Sequence, residues 1–151
     1  MDKLYYEDFE PGMVFDLPAT PIDRDEAIDY AREFDPQPFH LDEAAARETL
    51  LGGLALSGWN TCCIGMRMAF EGAISRFASL GAPGVDEGRW LKPVRPGDVL
   101  TGKLEIVEKR RSRSRPERGI IKIRMELVNQ EGDAVYRQSN SNFVLCREPA
   151  A

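Results

Sequence analysis

The chain has 151 residues, 42% hydrophobic and 30% charged, the composition of an ordinary globule long enough for one domain (residues 1–151) with a core of its own. Its formal net charge of −5 and pI near 5.0 speak against a nucleic-acid protein, which needs a dominant basic face. No run of about 18 apolar residues is available to cross a membrane, and three cysteines (Cys62, Cys63, Cys146) without CxxC or zinc-ribbon spacing read as free thiols in a reducing, cytoplasmic compartment.

The opening MDKLYYEDFEPG is acidic and lacks an apolar stretch, so it does not read as a signal peptide. An EPG turn leads into an extended segment around Met13 to Leu17. Asp23 then caps a helix, with Glu26 three residues on, and Ala27, Ile28, Ala31 and Phe34 form its apolar stripe. Pro36 and Pro38 stop it, because each lacks an N–H and biases its predecessor away from helix. FDPQPFHLD therefore reads as neither helix nor ordinary strand, and Asp42 caps a second short helix through EAAARETL.

After the Gly-rich LLGGLALSG comes the longest helical candidate, WNTCCIGMRMAFEGAISRFASL. Cys63, Met66, Phe70, Ala73 and Phe77 mark a stripe of mostly large residues beside a small-residue stripe of Cys62, Gly65, Ala69 and Gly72. Together they predict a helix buried on most sides, approached closely by a sheet. Past GAPG the period changes from 3.6 to 2. DEGRWLKPV is a strand candidate and RPGD a turn. Leu100, Leu104 and Ile106 alternate with polar residues, as do Ile121, Ile123, Met125 and Leu127, and Ala134 to Cys146 is the last strand. The layout is α+β: an antiparallel sheet wrapped around one long central helix, which suggests a hot-dog fold.

The single histidine, His40, lies five residues after Asp35 in the proline-stiffened loop. An imidazole and a carboxylate facing one space could grip a water and move its protons near neutral pH. A lone loop histidine also reads as polar surface, or as a ring bonded to nearby backbone. One histidine cannot build a multi-histidine metal site, and no carboxylate cluster suggests another. Ser57 does not lie in a GxSxG elbow; it stands just before the long helix, where it reads as an N-cap. The amides of Gly58 and Trp59, at the positive end of that helix, would make an anion or oxyanion site.

Asp35-Pro-Gln-Pro-Phe-His40-Leu-Asp42 resembles the hydratase signature D-x-N-P-x-H-x-D. GGLALSGWNT resembles the segment that enters the central helix in the same proteins, and GVDEGRWLKPVRPGDVL their following strand and turn. On these motifs the chain resembles the MaoC-like dehydratases, which include R-specific enoyl-CoA hydratases. The resemblance implies a hot-dog homodimer that adds water reversibly to trans-2-enoyl thioesters of coenzyme A, with no cofactor beyond that substrate. It implies that Asp35 and His40 activate the water, with His40 as base and Asp35 orienting it and helping return a proton. The Gly58 amide would bind the thioester oxygen. Gln37 stands where the signature has Asn, Ser57 where many relatives have His, and Asn60 where one sub-group has His; all three belong to the expected substrate site, and these departures leave the acyl group open.

The basic run EKRRSRSRPERG reads as a solvated hairpin tip, or as a contact for coenzyme A phosphates through Arg111, Arg113 and Arg115. The polar stretch Ser139 to Asn142 within the last strand reads as a solvent-facing edge, or as a polar pocket wall. Trp59 and Trp90 read as core fillers. A hot-dog thioesterase and a non-catalytic acyl-CoA-binding subunit are the alternative functions.

Overall fold

The computed structural model describes residues 3–148; residues 1–2 and 149–151, the ends of the expected domain, lie outside that range. Six strands form one antiparallel sheet: β1 (Val14–Pro21), β2 (Ser79–Gly81), β3 (Glu87–Trp90), β4 (Val99–Arg111), β5 (Arg118–Val128) and β6 (Ala134–Leu145). Their order is β1-β4-β5-β6-β2, with β3 also pairing to β6. The two short strands share one edge of β6: β2 pairs near Val144 and Phe143, β3 from Tyr136 to Ser139. β1 forms the opposite edge, which suits Pro18, a residue that cannot donate to a ladder.

The period-2 reading of β4 and β5 matches their burial. Leu100, Leu104, Ile106, Ile121, Ile123, Met125 and Leu127 point inward and are buried. They pack with Phe9, Phe15, Phe77 and Met68 in one core, with Phe9 and Phe77 edge to face at 4.8 Å. The sheet curls around α4 (Gly58–Gly72), the hot-dog arrangement expected from the sequence.

Close approach of helix and sheet depends on the small residues. A Cβ on Gly65 would lie 3.0 Å from the Met125 methyl, and one on Gly72 would lie 2.8 Å from the Asp16 carbonyl oxygen. The helix stops there. Ala73 leaves helical geometry at φ −142°, ψ −62°, a 3₁₀ turn follows over Ile74–Arg76, and Ser79–Gly81 is strand. The sequence reading carried the helix about two turns too far, and Phe77 reaches the core from beyond it. The small stripe meets the sheet, as read, but burial on most sides does not hold: Cys63 is exposed and Met66 and Phe70 are half exposed.

α1 (Arg24–Phe34) begins as read, with Asp23 accepting from the Asp25 and Glu26 amides, and ends just before Asp35. The segment after it is more ordered than expected. Pro38 opens a single helical turn, α2 (Pro38–Leu41), where its missing N–H costs nothing. Asp42 then caps α3 (Glu43–Arg47) by accepting from the Ala45 amide. Among the described residues no helix is long and apolar enough to cross a membrane.

Gly72→Val should cost about 1–3 kcal/mol of stability, since the new side chain meets a backbone carbonyl that cannot rotate away. Gly84→Ala, which meets nothing within 4 Å, should be nearly neutral. Urea denaturation of both variants tests the contrast.

Candidate functional site

Two local structures bring Asp35 and His40 together. Asp35 is the C-cap of α1, its N–H bonded to the Ala31 carbonyl, and His40 lies on the one-turn helix started by Pro38. The Gln37 amide bonds back to the Asp35 carbonyl and the His40 amide to the Gln37 carbonyl, which fixes the path between them. His40 Nε2 then lies 3.5 Å from Asp35 Oδ2.

The ring is buried, at 8% exposure. Its Nδ1 is 2.9 Å from the Ala55 carbonyl oxygen. A carbonyl only accepts, so Nδ1 carries the proton in the neutral ring and Nε2 keeps its lone pair. That lone pair faces the carboxylate and the adjoining space. Phe39 packs edge to face on the imidazole at 4.7 Å.

The Ala55 carbonyl is itself held in place. The Leu56 amide bonds to Val94 O at 2.8 Å, and Glu43 accepts from the Leu54 amide at 3.0 Å. Arg95 donates to the carbonyls of Leu54 and Leu51 at 3.2 and 2.5 Å. Arg95 therefore positions the strip that aims the imidazole. Its place in KPVRPGD marked it as part of a motif, but only the fold shows what it holds.

Asp35 is oriented by two side chains. Ser57 Oγ donates to Oδ2 at 2.6 Å, and Gln37 Nε2 donates to Oδ1 at 2.8 Å. The Ser57 bond, then the Gln37 bond and the nearby His40, hold the carboxyl below its ordinary value against the opposing effect of burial. Asp35 is thus a carboxylate at neutral pH. This corrects the reading of Ser57. It stands at the N-cap of α4, but its hydroxyl makes no cap hydrogen bond; it donates to Asp35. The Gly58 and Trp59 amides, in the first turn, have no helical partner and remain available.

A cavity of about 390 Å³ adjoins these groups, lined by Asp35, Gln37, His40, Gly58, Thr61 and Trp90 among others. Trp90 donates its indole N–H to the Gly58 carbonyl at 2.8 Å, and a Cβ on residue 58 would lie 2.6 Å from the indole ring. Only glycine fits there. Trp59 and Trp90 are not core fillers: Trp59 is 63% exposed and stacks edge to face on Trp90 at 5.4 Å. Thr61, Trp90 and Lys92 line this cavity without having been singled out for it. A strand read as core or surface gives no signal that its tryptophan covers a helix end.

Not every expected site residue joins this group. Asn60 is buried beside a separate cavity, toward Tyr30 and Cys63. Arg111 lies at the far end of β4, about 30 Å along the strand from the Gly102–Leu127–Tyr136 row at about 3.3 Å per residue. It pairs with Glu7 at 3.0 Å and donates to Glu148 O. Arg113 and Arg115 occupy the tip between β4 and β5, and none of the three lines the cavity beside His40. Among the described residues no group of three His, Cys, Asp or Glu side chains could hold a metal.

Because folding lowers the Asp35 value, its carboxylate adds stability above the unfolded value and loses that contribution as pH falls through the folded one. Ser57→Ala removes the largest cause of the shift. The Asp35 carboxyl should then titrate at higher pH in a ¹³C NMR experiment, and the stability that this group loses on acidification should be smaller and exhausted at a higher pH. An unmoved titration would contradict this assignment.

Residues 8–127 match the family model described as "MaoC like domain". The fold superposes on the MaoC-like dehydratase of Rhodospirillum rubrum with a TM-score of 0.90 and 38% identity, covering 96% of this chain and 99% of that one. It also superposes on the R-hydratase PhaJ1 of Pseudomonas aeruginosa, TM-score 0.74 and 21% identity, over 98% and 89% of the two chains. The mesaconyl-CoA hydratase of Cereibacter sphaeroides is 37% identical over 68 residues, 45% of this chain but only 20% of that longer protein. With the family model spanning most of the chain and a full-length structural relative, this protein belongs to the MaoC-like domain family.

Proposed function

We propose that this chain is a hydratase or dehydratase of 2-enoyl thioesters of coenzyme A, working through Asp35 and His40. The observation that carries the reading is the Nδ1 bond of His40 to the Ala55 carbonyl, which leaves the Nε2 lone pair facing the Asp35 carboxylate across 3.5 Å. A water bonded to both groups would be oriented for attack. Family membership and the full-length dehydratase relative support the same chemistry.

In the hydration direction, Nε2 accepts one proton of that water as its oxygen bonds to the β-carbon. The π electrons move toward the thioester, whose oxygen gains negative charge. The Gly58 and Trp59 amides at the amino end of α4 supply donors for that charge; losing one such donor typically costs about 3–4 kcal/mol of barrier. The α-carbon then takes a proton, and Nε2–H of the imidazolium is its source. Asp35, held ionised by Ser57 and Gln37, orients the water and stabilises the imidazolium. Dehydration runs the same steps in reverse. Gln37 takes over the orienting role, its extra methylene still allowing a 2.8 Å bond to Oδ1.

The working unit is a homodimer. α4 presents Trp59, Met66 and Phe70, and the β2–β3 edge presents Leu80, Val85 and Trp90, all about half exposed or more. A large apolar face beside a sheet edge fits a second copy of the chain. Sedimentation at micromolar concentration should show a dimer, and Met66→Glu should shift it toward monomer; a wild-type protein that sediments only as monomer would contradict this.

Loss of enoyl-thioester absorbance with a panel of 2-enoyl-CoA substrates tests the reaction. His40→Ala and Asp35→Asn should each lower turnover about 10²- to 10⁴-fold. Unchanged turnover in either variant contradicts the mechanism. Release of free thiol from a saturated acyl-CoA would instead indicate thioester hydrolysis.

A further inference from the structure

β6 is neither an edge nor apolar throughout. It lies between β5 and the β2–β3 pair, and its side chains at 136, 138, 140 and 142 share the inward face. On the neighbouring strands that face carries Leu104, Ile123 and Met125. On β6 it carries Tyr136, Gln138, Asn140 and Asn142. Asn140 and Asn142 are only 6% and 5% exposed, which corrects the reading of this stretch as a solvent-facing edge and favours the pocket-wall alternative.

These groups form a directed chain. Cys62 Sγ donates to Tyr136 Oη at 3.2 Å, and Tyr136 donates to Gln138 Oε1 at 2.7 Å. Gln138 Nε2 donates to Asn140 Oδ1 at 3.0 Å, and Asn140 Nδ2 donates to Asn142 Oδ1 at 2.6 Å. Burial and the Cys62 contact push the Tyr136 hydroxyl above its ordinary value, so it stays protonated. The chain ends at Asn142 Nδ2, which donates to no group among the described residues. That nitrogen borders a cavity, so it stays open to a ligand or to water.

Gln138, Asn140 and Asn142 form part of one wall of a cavity of about 290 Å³, beside Met125 on the neighbouring strand, and Met66 and Ile74 also line it. No Lys, Arg or His lines it. A carboxylate would therefore lie beside the buried amides without a counter-charge, which is unfavourable. A hydroxyl or keto oxygen needs only the amides. Tyr136, the first β6 residue of this hydrogen-bond chain, lies beside Trp90 with ring centroids 6.3 Å apart, and Trp90 lines the cavity of Asp35 and His40. Met66 is about 12 Å along α4 from Gly58 at about 1.5 Å per residue.

We infer that this amide wall is a specificity site for acyl groups that carry an uncharged oxygen, hydroxyl or keto, remote from the thioester. The inference deepens the hydratase reading and shares its thioester position. An incoming oxygen takes the free Asn142 donor, and the apolar walls take the methylenes before it.

Calorimetric binding of saturated acyl-CoAs tests this without requiring turnover. Wild-type protein should bind 10-hydroxydecanoyl-CoA at least about ten-fold more tightly than decanoyl-CoA, since a site built to bond an oxygen rejects the analogue lacking it. Asn142→Leu should abolish that preference while leaving hydration of the four-carbon crotonyl-CoA unchanged. Equal wild-type affinity for the two ligands overturns the inference, with no variant needed. So does tighter binding of a ten-carbon dicarboxylic acyl-CoA, or a preference that survives in Asn142→Leu. Absence of hydration with every substrate would count against the hydratase reading alone, because the binding preference is read separately.

Discussion

The site depends on one hydrogen bond, from His40 Nδ1 to the carbonyl of Ala55. A histidine free to rotate or change tautomer would present a donor or an acceptor to the reaction space indifferently. Bonding one nitrogen to a group that can only accept removes that ambiguity. The carbonyl serves because its strip of chain is fixed by Arg95, by Glu43 and by the bond to Val94. Arg95 and Glu43, which do not line the cavity, thus help define the chemistry inside it.

A second consequence concerns how the helix end is used. Ser57 occupies the position where a hydroxyl normally caps a helix, yet it makes no cap bond and donates to Asp35. That bond helps keep the carboxyl ionised, and the uncapped first amides of α4 are left for a ligand. Gly58 lets the Trp90 ring close over that end, where any larger residue would collide with it. The acid, the imidazole and the free amides thus adjoin one cavity, brought there from two separate parts of the chain.

Much of the frame was legible in the sequence because it rests on local rules. Pro36 had to end α1 near Asp35, and the alternation from Leu100 to Leu127 had to give strands with one buried face. The Asp35–His40 spacing and the Gly-rich entry to α4 pointed to the family that the comparisons show. What was misread depended on neighbours distant in sequence. A stripe of large residues on α4 looks like core in any helical pattern; here the sheet packs on the small stripe and leaves Met66 and Phe70 half exposed. The amides of β6 look like an edge until β2 and β3 are seen to cover that strand. Nothing local in RPGD indicated that Arg95 would brace the backbone beneath the imidazole.

The orientation of the imidazole is open to direct measurement, since the chain has one histidine and its signals need no assignment by elimination. In ¹⁵N-labelled protein, the neutral His40 ring should show a protonated Nδ1 and an unprotonated Nε2. A ring that carries its proton on Nε2, or that exchanges evenly between the two nitrogens, would contradict the account.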